Sequence, residues 1–155
     1  MGQISIIVNG KEEVSEIPDE MLLVNFLREK LRLTGTHIGC DTSQCGACVV
    51  NINGKSVKSC SMLAQQANNS EITTIEGIGT SKNLHPIQKA FKKNHGLQCG
   101  FCTPGMIMSA LDLINKNENL DDEKIRSGIN GNLCRCTGYH NIVKSILQAS
   151  REMKK

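Results

Sequence analysis

Apolar residues fall at every second position from Ile4 through Ile6 to Val8, the period of a strand with one buried face. Asn9-Gly10 follows, and Glu12 to Ile17 runs back, so this stretch predicts a β-hairpin with a two-residue turn. The device recurs where Ala47 to Ile52, Asn53-Gly54 and Lys55 to Cys60 follow one another. Between the hairpins the period changes. Leu22, Leu23, Phe26, Leu27 and Leu31 repeat at helical spacing, and Asp19 is placed to cap them. A further strand is expected over Ile72 to Glu76, giving an α+β first unit. Gly77 to Asn83 is polar and Gly-containing and marks the expected boundary. Its Gly77-Ile78-Gly79 lacks the spacing of a dinucleotide fingerprint.

Beyond that joint only helical spacing appears. Pro86 suits a first turn, with Ile87, Ala90 and Phe91 inward and Gly96 as a stop. Thr103-Pro104 opens a second helix with Ile107, Ala110, Leu111 and Ile114 on one face. Asp121 can cap a third around Ile125 and Ile129, and a fourth runs from about Tyr139 through Ile142, Val143, Ile146 and Leu147. Four short amphipathic helices predict a small bundle. The division expected is 1–78 and 79–155, and no internal repeat is visible.

Composition adds a problem of cohesion. The chain is 39% hydrophobic but has three Phe, one Tyr and no Trp, so the aromatic mass that usually dominates a small core is missing. Eight Cys are the obvious substitute. A net charge of +3, without a basic face, argues against nucleic-acid binding. No window approaches the ~20 apolar residues of a membrane span. The first residues show no cationic segment before an apolar run, and Ile6 stands where a myristoylation signal wants Ser or Thr. A cytoplasmic protein is expected, and a reducing compartment favours metal binding over disulfides.

The first cysteines read Cys40-x4-Cys45-x2-Cys48, with Cys60 at the end of the second hairpin. This is the ligand run of plant-type [2Fe–2S] ferredoxins. Four thiolates and two sulfides on two ferric ions carry a formal charge of about −2, and reduction adds another. A loop can turn backbone N–H groups toward that charge. Gly39, Gly46 and Ala47 allow close approach, and Thr42 and Ser43 offer hydroxyls. Structural zinc prefers two paired Cys units, and Cys60 stands alone.

Cys99-Gly-Phe-Cys102 and Cys134-Arg-Cys136 form the second group. Their spacing alone leaves iron–sulfur and zinc both open. A thioredoxin-like dithiol is disfavoured, because no strand–helix pattern surrounds Cys99 and Cys102. Both pairs lie at expected helix starts, where free N–H groups suit an anion. His37, His85, His95 and His140 are scattered and read as structural or solvent-facing, while Met106 and Met108 read as packing residues.

Three segments then converge: Gly39-Cys-Asp-Thr-Ser-Gln-Cys-Gly-Ala-Cys48, Gln98-Cys-Gly-Phe-Cys-Thr-Pro-Gly-Met106 and Asn130-Gly-Asn-Leu-Cys-Arg-Cys-Thr-Gly-Tyr139. Together they resemble the small iron–sulfur subunit of the molybdenum hydroxylases, the xanthine oxidase and aerobic carbon monoxide dehydrogenase family. The resemblance covers nearly the whole chain. It implies a β-grasp, plant-type ferredoxin-like domain followed by an all-α four-helix-bundle domain. It also implies two [2Fe–2S] clusters. Cys99, Cys102, Cys134 and Cys136 would hold the one nearer molybdenum, and Cys40, Cys45, Cys48 and Cys60 the one nearer flavin. By the same resemblance Gln98 and Cys136 would contact the pterin. The partners implied are a large molybdopterin-binding subunit and a medium FAD-binding subunit in a higher hetero-oligomer. No catalytic residue is expected on this chain. The rival readings are a free-standing two-cluster carrier and a zinc-stabilised interaction module.

Overall fold

The computed structural model describes residues 1–154. Strands β1 (Gly2–Val8) and β2 (Lys11–Ile17) form the first hairpin, and β3 (Val49–Ile52) and β4 (Lys55–Lys58) the second. Each turn is an Asn-Gly pair with both residues at positive φ: 51° and 79° for Asn9 and Gly10, 50° and 80° for Asn53 and Gly54. That mirror-image turn matches the right-handed twist of the paired strands. β5 (Glu71–Thr73) inserts between the hairpins, parallel to β1 and antiparallel to β3, giving a mixed sheet of order β2-β1-β5-β3-β4.

The segment between the hairpins departs from the expected helix. α1 is a single turn, Leu23–Asn25, which widens into a π-helical turn over Phe26–Lys30. The widening lets Leu23, Phe26 and Leu27 all reach one core with Ile4, Ile6, Ile17, Val50 and Ile72. Asp19 does not cap α1. Leu22 is the N-cap, and the Asp19 carboxylate accepts hydrogen bonds from Gln65 Nε2 at 2.6 Å and the Met1 amino group at 3.3 Å.

The second half contains four helices: α2 (Pro86–Lys93), α3 (Thr103–Lys116), α4 (Asp122–Gly128) and α5 (His140–Met153). Asp121 caps α4 as expected, its side chain accepting from Lys124 N at 2.8 Å. α2 ends before Gly96: Asn94 is its C-cap and His95 turns into the left-handed region, after which Gly96 N donates back to Phe91 O at 2.8 Å. α5 packs on α2 and α4, while α3 lies on β3 and β4. The residues expected on the inner faces are buried except Leu147, which is half-buried, and Met106 and Met108 are buried too. The overall class is α+β, and no described helix is long and apolar enough to cross a membrane.

Candidate metal centres

The loop from α1 to β3 carries Cys40, Cys45 and Cys48, and Cys60 sits in a short 3-10 turn, Ser59–Ser61, just after β4. Hairpin register brings these together. Val49 pairs with Lys58, so the residues flanking that pair, Cys48 and Ser59, are neighbours. Ser59 donates to Cys48 O from both its amide (3.3 Å) and its hydroxyl (2.6 Å). Lys58 Nζ reaches across to the carbonyls of Ser43 at 2.9 Å and Gln44 at 3.2 Å. The loop turns backbone N–H groups inward, and Cys45 N lies 3.5 Å from Cys40 Sγ. These amides, Cys45 first and then Thr42 and Gln44, pull the Cys40 thiol down to about 6. Burial does the reverse to Cys48, pushed up to about 11, and raises Cys45. Of the two hydroxyls expected to help, Ser43 Oγ lies 3.6 Å from Cys60 Sγ.

The second group draws on two helix approaches. Cys102 is the N-cap residue of α3, and Cys134 and Cys136 precede α5. Tyr139 organises this approach. Its backbone is left-handed at φ 69°, and its hydroxyl accepts from Cys134 N at 2.8 Å and donates to Asn132 O at 3.2 Å. Cys99 Sγ and Cys136 Sγ stand 3.4 Å apart, and the Cys102 thiol faces Cys134. Burial pushes Cys102 up to about 12. The Phe101 amide, above all, lowers Cys99. Burial opposes ionisation of Cys134, but the Thr137 hydroxyl (3.1 Å) and the amides of Cys136 and Thr137 outweigh it.

All eight cysteines are free thiols, and each group of four divides into two adjoining pairs: Cys40 with Cys45, Cys48 with Cys60, Cys99 with Cys136, Cys102 with Cys134. Among the described residues no three His, Cys, Asp or Glu side chains converge as ligands of a single ion. Two pairs per group suit a two-iron rhomb, in which each iron takes two thiolates, better than one tetrahedral zinc. The donor set therefore fits [2Fe–2S] at both places.

The groups share a cavity of about 460 Å³. Cys45 of the first and all four cysteines of the second line it, with Phe101 and Leu133 at its side. Cys45 O accepts a hydrogen bond from Leu133 N at 2.8 Å, one residue from Cys134. Gln98 Nε2 donates to Cys136 O at 3.1 Å, and both residues are exposed. Arg135 is exposed on the cavity rim. Of the histidines, His37 has a role that spacing did not show. It stacks on Phe101 at 4.6 Å, and its Nδ1 lies 2.7 Å from Phe101 O, tying the two cysteine loops together. His85 caps α2. Lys58, Asn132 and Tyr139 also escaped sequence reasoning as site residues. Asn132 and Tyr139 lie inside the Asn130 to Tyr139 segment already singled out, and Lys58 stands two residues before Cys60. The Lys58 to Ser43 and Asn132 to Gly46 contacts, however, join residues 15 and 86 positions apart and could not be read from the chain.

Residues 6–73 match the 2Fe-2S iron-sulfur cluster binding domain family, and residues 74–147 match the [2Fe-2S] binding domain family. Over 95% of its length the chain is 45% identical to caffeine dehydrogenase subunit gamma of Pseudomonas sp. (strain CBB1), covering 90% of that protein. It is 43% identical over 97% of its length to the aldehyde oxidoreductase iron-sulfur-binding subunit PaoA of Escherichia coli (strain K12), covering 72% of it. This chain belongs to the iron–sulfur subunits of the molybdenum hydroxylases. A solved relative of this iron–sulfur subunit, in quinoline 2-oxidoreductase from Pseudomonas putida 86, superposes with a TM-score of 0.94 at 39% identity, covering 99% of this chain and 96% of that one. The zinc reading of the second cysteine group is thereby set aside: both halves match 2Fe-2S binding families.

Proposed function

We propose that this iron–sulfur subunit relays single electrons from a molybdenum–pterin centre on a large partner subunit to FAD on a medium subunit. Its two ligand sets are Cys99, Cys102, Cys134 and Cys136 on the molybdenum side, and Cys40, Cys45, Cys48 and Cys60 on the flavin side. When bound, each [2Fe–2S] cluster accepts and returns one electron at a time. The chain's own part is to hold the thiolates, lower the cost of their charge with inward amides, and keep the two loops in contact. The observation that carries the reading is the Cys45 O to Leu133 N hydrogen bond, a short through-bond route between a ligand of one set and the neighbour of a ligand in the other.

Gln98 and Cys136 are assigned to the pterin. The bond from Gln98 to Cys136 O fixes the amide beside an exposed ligand sulfur, and it leaves the amide oxygen and one N–H for a flat heterocycle. Phe101 and Leu133, which line the same cavity as Cys136, are 47% and 56% exposed. An apolar patch beside a redox group suits burial under a partner. The finer architecture belongs to the same proposal: a β-grasp unit over 1–78 and a four-helix bundle over 79–155. Two hydrophobic clusters support that division: one lies wholly within 1–78, and the other is built from the four helices with Val49 of β3 added. The reducing cytoplasm is the assigned location, since it keeps eight thiols available for clusters.

Iron, acid-labile sulfide and native size test the reading together. About four iron and four sulfide per chain are expected from two four-cysteine sites, in a particle much larger than this 16.9 kDa chain. A zinc-loaded, colourless protein would end it. A solitary small species carrying both clusters would replace it with a free carrier.

A further inference from the structure

Where the two cysteine loops meet, three backbones pass closer than side chains permit. Gly105, in the first turn of α3, faces the Cys45-Gly46-Ala47 loop. A Cβ added to it would stand 2.1 Å from Gly46 O and 3.0 Å from Ala47 Cα, where ordinary contact begins near 3.4 Å. Gly46 in turn faces the Asn130–Leu133 segment. Its φ is 73°, and a Cβ there would stand 2.4 Å from Gly131 O and 2.6 Å from Asn132 Nδ2. Asn132 is buried and donates from Nδ2 to Gly46 O at 3.1 Å, next to the Leu133 N to Cys45 O bond. Its own carbonyl is held by the Tyr139 hydroxyl.

Those residues ligate nothing, yet each lies within three positions of a cysteine: Gly46 between Cys45 and Cys48, Gly105 after Cys102, Asn132 before Cys134. We propose that Gly105, Gly46 and Asn132 are positioning residues that set the separation and coupling of the two clusters, and with them the rate of electron transfer between them. This rests on the two-cluster reading above. A methyl group at Gly105 forces α3 and the first loop about 1 Å apart. Loss of the Asn132 donor removes the tie at 3.1 Å from the Asn130–Leu133 segment to Gly46 O, leaves that carbonyl the bond from Val49 N at 3.3 Å within its own loop, and loosens the Leu133 to Cys45 bond beside it. Both changes act on the gap while leaving all eight thiols in place.

The test compares wild type, Gly105→Ala and Asn132→Leu in the intact native assembly. Low-temperature electron paramagnetic resonance of the fully reduced protein reports the magnetic interaction between the clusters, and half-reduced samples report each cluster alone. Rapid reduction at the molybdenum end reports transfer to the second cluster. Both variants are expected to keep wild-type iron and each cluster's own signal, to show a narrowed interaction splitting, and to transfer severalfold more slowly. An unchanged splitting and rate in iron-replete variants overturns the proposal. If Gly105→Ala fails to load iron, Asn132→Leu decides. Failure of both to load also overturns it, since the contact would then serve assembly and not spacing. A wild type lacking four iron or any cluster interaction would instead sink the underlying two-cluster reading.

Discussion

Asp112 shows what a single side chain contributes and what sequence alone conceals. It sits on α3, 4% exposed, where a helical pattern would place an apolar residue. Its carboxylate accepts from Ser56 N at 2.9 Å, Ser56 Oγ at 2.7 Å and Lys116 Nζ at 2.8 Å, joining α3 to β4. Burial alone would raise its pKa, but the Lys116 ammonium and the two Ser56 bonds outweigh it and hold the carboxyl below its ordinary value of 3.8. A depressed pKa stabilises the fold above that value and loses the contribution as pH falls through the folded one. Asp112→Asn is therefore expected to cost about 1–3 kcal/mol at neutral pH, and the gap from wild type should shrink between pH 5 and pH 3. Urea midpoints across that range check it, and a gap constant with pH would remove the charge from the explanation. The local runs Cys40-x4-Cys45-x2-Cys48, Cys99-x2-Cys102 and Cys134-x-Cys136 were legible in the spacing, because each lies in one short stretch of chain. The Asp112–Ser56 pair is 56 positions apart in the chain and could not be read there.

Elements were legible where local chemistry decides them. Both hairpins, the Asp121 cap and the Pro86 and Thr103-Pro104 starts follow from turn and cap residues, and all are present. The helix between the hairpins was legible from its five leucine and phenylalanine positions, but its change from an α turn to a π turn over Phe26–Lys30 was not. The turns also allow a clean measurement. Nothing stands within 4 Å of a Cβ added at Gly10 or Gly54, so a substitution there meets strain from φ alone. Gly10→Ala and Gly54→Ala are each expected to cost about 1–2 kcal/mol, with m-values unchanged in denaturant unfolding. A much larger loss would mean that the turn makes contacts the structure does not contain.

For the whole molecule, β3 is the wall between the two halves. Its successive residues face opposite ways: Val49 lies in the helical core with Ile107, Ile142 and Ile146, and Val50 lies in the sheet core with Phe26 and Ile72. The sequence carried the signal, because Val49-Val50 is an apolar pair without alternation, the mark of a strand covered on both faces. The polar joint at Gly77 to Asn83 marks a boundary in the chain but says nothing of how the two units pack. With β3 shared, α3 seated on it and the cysteine loops in contact, the halves should unfold together. Val49→Ala removes two methyl groups from the helical side and is expected to cost about 1–3 kcal/mol. Its loss should appear equally in the helical far-ultraviolet signal and in the visible absorbance of the cluster proposed at Cys48, its neighbour in the chain. If the visible signal keeps its wild-type midpoint while helicity falls earlier, the wall does not couple the halves, and each cluster sits in a domain that folds for itself.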